Sequence, residues 1–276
     1  MNNNCKLKIC NEIDLTLWLS KKIFCKMKTT LKRFLNSLYK NCKDLYKIEY
    51  RNKLSMPYYL HQVLIGLLLS DGFLEKSSPI STVRLSITFG ILHVGYLFHL
   101  FVLFEPYTDS GVQIIKVNNK KINTKYLEVK FNTVSLPIFL IYHKLFYIKD
   151  SKSKRFVKIV PLNIEYLMTP VVLAHLIMGD GNFKSPDNII RIYTNSFSKS
   201  DVERLGLAIS NKLGIMTKVV HDRNDQYILT ISKNQLEIVR SLILPYMHNS
   251  MIYKLGLNAE DTKNLSFEYN KYLDIM

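Results

Sequence analysis

The chain has no uninterrupted apolar run of the roughly 18 to 20 residues that a membrane-spanning helix needs. Its best candidates, Ile91–Phe104 and Leu136–Ile148, are broken by His93 and His99 and by His143 and Lys144. Both read as buried amphipathic helices of a soluble protein with no membrane partner. Cysteine is scarce: Cys5, Cys10, Cys25 and Cys42 all fall in the first 42 residues. Their spacing fits no zinc pattern, and four cysteines in 276 residues make no disulfide scaffold, so ordinary reduced thiols are expected. There is one tryptophan, there are three alanines, and eight arginines stand against 30 lysines. With 17 tyrosines, this usage fits AT-rich coding DNA, as in fungal or other organellar genomes, and carries no physics of function. Acids are also short, 22 Asp and Glu against 38 Lys and Arg, which leaves a net charge of +16. An excess of this size favours a polyanionic partner, nucleic acid first, over a membrane surface or solubility alone.

What is present suits a globular protein of two ordinary domains, with 47% hydrophobic and 22% charged residues. Residues 1–55 stand apart as a basic N-terminal extension, with 13 Lys and Arg against 4 Asp and Glu. Leu31, Phe34, Leu35, Leu38 and Tyr39 recur there at helical spacing, so the extension is expected to be helical or partly disordered. It suits an arm that grips DNA or RNA, a targeting segment, or read-through from an upstream frame. Targeting is the weakest of these, because no arginine precedes Arg33 and Glu12 and Asp14 intrude.

From about Met56 a regular order sets in. A short helix precedes strands at Phe73–Lys76 and Val83–Phe89, a helix at Ile91–Phe104, strands at Val112–Val117 and Lys125–Phe131, and a helix at Pro137–Tyr147. The polar run from Lys149 to Arg155 breaks the periodicity and marks a linker, taken as residues 149–158. The order then repeats: helix Pro170–Met178, strands Gly181–Lys184 and Ile189–Thr194, helix Lys199–Leu213 with Ser198 and Asp201 as an approximate capping box, strands Thr217–His221 and Tyr227–Ser232, and helix Gln235–Tyr246. The expected architecture is therefore α+β, an αββαββα unit used twice, over residues 56–148 and 159–258, with a tail at 259–276.

The two units open on nearly the same words. Leu64-Ile65-Gly66-Leu67-Leu68-Leu69-Ser70-Asp71-Gly72 matches Leu173-Ala174-His175-Leu176-Ile177-Met178-Gly179-Asp180-Gly181, with the two acids 109 residues apart. Gly66 and Ser70 share one helix face, and so do His175 and Gly179, which lets two such helices pack closely. An Asp at a helix C-terminus is disfavoured by about 0.3–1 kcal/mol, and two close together repel as well. A bound Mg²⁺ removes both penalties. A single Asp-Gly is most simply a helix stop; two in the same setting point to a metal-dependent site of approximate twofold symmetry, suited to double-stranded DNA.

These segments resemble the paired signatures of the LAGLIDADG homing endonucleases, in the single-chain, two-repeat form typical of organellar introns. Tyr166-Leu167-Met168-Thr169-Pro170, Thr194-Asn195-Ser196-Phe197-Ser198, Pro245-Tyr246-Met247 and Met251-Ile252-Tyr253-Lys254-Leu255 extend the likeness, which covers roughly residues 57–258. Departures fall at Leu69 and Met178, where the signature has an acid, and at His175, where it has glycine and where a packing role is expected. The resemblance implies two repeats packed through the motif helices, with curved antiparallel sheets forming a saddle on DNA. It implies Mg²⁺ (or Mn²⁺) held by Asp71 and Asp180 with Ser70 and Gly179 beside them, and Lys158 and Lys254 acting on the transferring phosphate. Bases or phosphates would be met by Arg84, Ser86, Thr88, Gln113, Lys125 and Lys130, and by Arg191, Tyr193, Lys218, Arg223, Gln226 and Thr230. The implied function is a monomeric, mitochondrial endonuclease that cuts both strands of a long pseudo-palindromic site with a metal-activated water and leaves short 3′ overhangs. The alternatives are a maturase that assists splicing of intron RNA, or a non-cutting DNA-binding relic.

Overall fold

A computed structural model describes residues 53–258, apart from residues 77, 79–80, 120–123, 152 and 154. The four cysteines, the amphipathic stretch at Leu31–Tyr39 and the 259–276 tail lie outside the described residues. Both repeats fall within one compact unit that begins at Met56.

The first repeat runs α1 (Tyr58–Leu68), β1 (Phe73–Lys76), β2 (Val83–Gly90), α2 (Val94–Phe104), β3 (Gln113–Asn119), β4 (Thr124–Asn132) and α3 (Phe139–Phe146). The connection carries β5 (Tyr147–Lys149), β6 (Phe156–Lys158) and a short α4 (Ile164–Leu167). The second repeat runs α5 (Pro170–Asp180), β7 (Gly181–Lys184), β8 (Ile189–Ile192), α6 (Lys199–Leu213), β9 (Thr217–His221), β10 (Tyr227–Ile231) and α7 (Leu236–Ile243), and closes on a 3₁₀ turn, Asn249–Leu255. The antiparallel sheets have the same order, β1-β2-β4-β3 and β7-β8-β10-β9.

Alternation builds the sheets. In β2, Val83, Leu85, Ile87 and Phe89 are buried while Arg84, Ser86 and Thr88 between them face the other way. The buried face packs on α2 and α3 through an aromatic core in which Phe101 meets Phe131 edge-on at 5.6 Å. The motif helices differ from ordinary surface helices in being apolar all round. Val63, Leu64, Ile65, Leu67 and Leu68 of α1, and Val172, Leu173, Ala174, Leu176 and Ile177 of α5, are fully buried. Such helices belong at the centre of a molecule, and here they pack on each other.

Their contact pairs equivalent positions. A Cβ on Gly66 would stand 2.6 Å from Cβ of His175, and one on Gly179 would stand 2.5 Å from Cβ of Ser70. At each level one partner is glycine and the other is not, so the backbones approach closely without leaving a void. His175 does pack rather than ligate: it is fully buried, and its Nδ1 shares a 2.8 Å hydrogen bond with the hydroxyl of Tyr96.

Several local expectations change. The expected 149–158 linker instead begins on the last residue of β5 and ends on β6, which pairs with β5 so that Tyr147 stands opposite Lys158. Ser198 does cap α6, accepting from the Asp201 N–H at 3.2 Å, but only half of a capping box forms. The Asp201 carboxylate instead takes Arg204, whose guanidinium also donates to the Val160 carbonyl. The helix expected over Gln235–Tyr246 splits into α7 flanked by 3₁₀ turns, because Pro245 has no N–H to continue it. The closing 3₁₀ turn, which carries Lys254, has no periodicity by which to anticipate it.

Candidate active site

The two motif helices end together, but not identically. α5 continues through Asp180, whereas α1 stops at Leu68 and Asp71 stands in the turn beyond it. Glycine follows each acid for a steric reason: a Cβ on Gly72 would lie 2.8 Å from the Leu67 carbonyl oxygen, and one on Gly181 2.5 Å from that of Ile177. The chain can therefore drop from helix into strand within one residue. Asp71 Oδ2 lies only 3.0 Å from where a Gly179 Cβ would stand, so the acids of the two repeats share one centre.

The electrostatics follow from this crowding. Burial, and then the charge of Asp71, push the Asp180 carboxyl up to about 7. Burial also raises Asp71, against the opposing pull of Lys254, Lys158 and His93. Its tip is open to solvent while its neighbourhood is crowded protein, and the crowding governs the charge. Lys158 is driven down to about 8 by burial, opposed by Asp180 and Asp71, and Lys254 is lowered by burial as well.

The resemblance implies both lysines at the centre, and in the structure each stands beside the acids in a specific way. Lys158 Nζ donates to the carbonyls of Ser70 and Gly72, each at 2.8 Å. Lys254 Nζ donates to those of Met178 and Gly179. Lys254 thus caps open carbonyls at the end of α5, where the macrodipole is negative, while Lys158 ties together the turn between α1 and β1. Two of the three N–H donors are used, and one per lysine remains. The same bonds change the reading of Ser70 and Gly179 as metal ligands. Their carbonyls already accept from lysine, and the Ser70 hydroxyl donates back to Gly66, leaving only a second lone pair on each carbonyl.

Among the described residues, neither carboxylate has an ion pair within 4.0 Å or a hydrogen-bond donor, and no group of three or more His, Cys, Asp or Glu is placed to hold a metal. Two crowded, unpartnered carboxylates beside main-chain oxygens nonetheless fit a hard divalent cation, which takes few protein oxygens and fills its shell with water and phosphate. His93 is the residue the sequence reading missed here. It caps α2 by position, lies half-buried against Phe89, and is electrostatically linked to both Asp71 and Lys254. Its run, Gly90-Ile91-Leu92-His93, carries no sequence signal of that proximity.

The strand candidates divide by register. Arg84, Ser86, Thr88, Gln113 and Lys130 share the open face of the first sheet, with Thr88 opposite Lys130 and Lys130 opposite Gln113. Lys125 does not join them: five residues from Lys130 on one strand, it projects from the opposite face. Arg84 is bound to Glu75 at 2.6 Å. In the second sheet Arg191, Thr230 and Lys218 form one row, and Tyr193 lies beyond β8 on the same side. Arg223 and Gln226 lie in the β9–β10 turn, where the Gln226 side-chain oxygen Oε1 accepts from both Arg223 and Asn195 at 3.2 Å.

The comparisons agree with this geometry. At 28% identity, residues of this chain align with a cytochrome b mRNA maturase, bI2, of Saccharomyces cerevisiae, over 70% of this chain and 46% of that protein. The chain thus spans less than half of that relative. The DNA endonuclease I-ChuI of Chlamydomonas applanata is 27% identical over 74% of this chain and 97% of its own length. In solved structures, the homing endonuclease I-WcaI, bound to its DNA recognition sequence, superposes with a TM-score of 0.68 at 21% identity, over 76% of this chain and 91% of that one. That likeness establishes the fold. The family model described as the LAGLIDADG DNA endonuclease family matches residues 61–239, from within α1 to within α7, and on that span the chain belongs to this family.

Proposed function

We propose that this protein is a site-specific endonuclease that hydrolyses both strands of a long, imperfectly palindromic DNA duplex and leaves short 3′ overhangs. The observation that carries the reading is the pair of unpartnered carboxylates, Asp71 and Asp180, at the shared end of two helices packed through equivalent residues. Two acids across a pseudo-twofold suit two scissile phosphates on antiparallel strands. A Mg²⁺ or Mn²⁺ held there would supply charge neutralisation at phosphate and a more acidic water. The chain's own part is positional. Asp71 and Asp180 present oxygens, while Lys158, on carbonyls of the turn after α1, and Lys254, on carbonyls at the end of α5, keep one N–H each for an anionic oxygen. The two open sheet faces carry the duplex. Both motif copies lie in one chain, so a monomer suffices, and the likeness to a cytochrome b mRNA maturase and to an intron-encoded endonuclease supports a mitochondrial setting.

The test is cleavage of a randomised duplex library in Mg²⁺, with sequencing of the ends. Discrete ends with a fixed 3′ stagger, absent for Asp71→Asn, are expected; ends scattered without stagger, or unchanged in that variant, would sink the proposal. A second reading, as a splicing maturase, has one specific support in the maturase relatives. It predicts intron-RNA binding that survives Asp71→Asn and weakens on removal of residues 1–55.

A further inference from the structure

The two sheets differ where they face the duplex closest to the acids. Phe73 and Asn182 each follow their motif acid by two residues, so the rows they begin are pseudo-symmetric equivalents. In the first sheet the row runs Phe73, Ser86, Asn132. In the second it runs Asn182, Arg191, Thr230, Lys218. The first row is uncharged, with the Phe73 ring 50% exposed and the Asn132 Oδ1 buried without a partner. The second carries two cations. Among the described residues Arg191 makes no ion pair, and its Nε is likewise buried without a partner. The first sheet's arginine, Arg84, has both its Nε and its Nη2 on Glu75.

Arg191 stands on β8 and Asn132 on β4, both interior strands, whereas Asn182 and Lys218 stand on the edges. Contacts to base edges in a groove specify sequence, whereas contacts to phosphates only position the protein. An orphaned polar atom carries a free-energy cost that a swing toward a base edge relieves.

We propose that these two rows read opposite base chemistry on the two sides of the cut. Arg191 takes a guanine, through O6 and N7, in the half of the duplex held by the second repeat. Asn132 takes an adenine, through N6 and N7, in the half held by the first, with Phe73 against a neighbouring thymine methyl. The match is geometric: a guanidinium fork meets two acceptors, and a carboxamide meets one donor and one acceptor. This inference rests on the endonuclease reading above.

The test is selection from a randomised duplex library by the full chain carrying Asp71→Asn, so that bound duplexes stay whole. The expected site is asymmetric, with a guanine in one half and an adenine in the other. Adding Arg191→Gln should reduce the preference for guanine over adenine at that position roughly 5- to 150-fold and leave the other half unchanged, which also shows that the variant is folded. Asn132→Ala should do the converse. If Arg191→Gln weakens every duplex alike, keeps the same base preferences and flattens the salt dependence, Arg191 is a phosphate contact and the inference is overturned. A parent chain that enriches no duplex at all overturns both this inference and the endonuclease reading.

Discussion

Asp180 starts from an ordinary carboxyl value of 3.8 and ends near 7, because burial and a like charge both resist its ionisation. A raised carboxyl means that the folded chain holds a proton the unfolded chain has lost. Without metal, its contribution to stability therefore falls as pH rises from about 4 to about 7. A cation that binds only the folded site reverses this by mass action, by about 2.7 kcal/mol at a hundred times its Kd. The expected result is a rise in Tm with Mg²⁺ at pH 8 that is lost in Asp180→Asn, whose metal-free Tm already exceeds that of the parent. Histidines with lowered pKa work in the other direction. Burial holds His99 down to about 4 and His175 down to about 3, so the unfolded chain takes up their protons first as pH falls below 6.5. Each then removes stability on acidification, about 1 kcal/mol between pH 7.5 and 5.5. In the Asp180→Asn background, which removes the Asp180 part of the opposing trend, denaturant unfolding at these two pH values with and without His99→Gln should show the variant recovering about one histidine's share.

The helix pair depends on a division of size at each level. Gly179→Ser puts a side chain where Ser70 already sits and should cost about 1–3 kcal/mol by overpacking. Ser70→Gly in the same chain reopens the space, so the double variant should be more stable than Gly179→Ser alone. Additive costs in the thermal midpoints would show that the two residues do not share one site. At the start of α6, Ser198→Ala removes a side-chain cap and should cost about 1 kcal/mol, measured by denaturant unfolding. These elements were largely legible in the sequence, because period-2 and helical spacing reflect burial directly. Register was less so. Lys125 fell among the DNA-facing candidates although its odd separation from Lys130 puts it on the other face, a test available from the sequence alone. The β5–β6 pair was divided between the end of a helix and a linker because three-residue strands are too short for an alternation to show.

For the whole molecule, a net charge of +16 and two outward sheet faces imply that much of the binding free energy is counterion release. If 6 to 10 phosphates are contacted, affinity for the selected duplex should fall about 10³- to 10⁵-fold between 50 and 200 mM salt. Filter binding or fluorescence anisotropy across that range would measure it, and a flat response would contradict nucleic-acid binding by these faces. The sheets are also unequal: β2, β3 and β4 have 8, 7 and 9 residues, against 4, 5 and 5 in β8, β9 and β10. The pseudo-symmetry of the centre therefore does not extend to the two sheets.

The sequence by itself determined the duplication, the αββαββα order and the two acids, because each is written in local spacing and in one repeated phrase. Tertiary structure alone decided how charges are partnered. Lys158 and Lys254 are held on main-chain carbonyls beside the two acids rather than standing free, Arg84 is neutralised by Glu75 while Arg191 is not, and His93 joins the centre from the start of α2. The physical reason is distance along the chain. Periodicity records which side of its own element a residue occupies, whereas partners such as Lys158 and Ser70, 88 positions apart, meet only when separate elements pack.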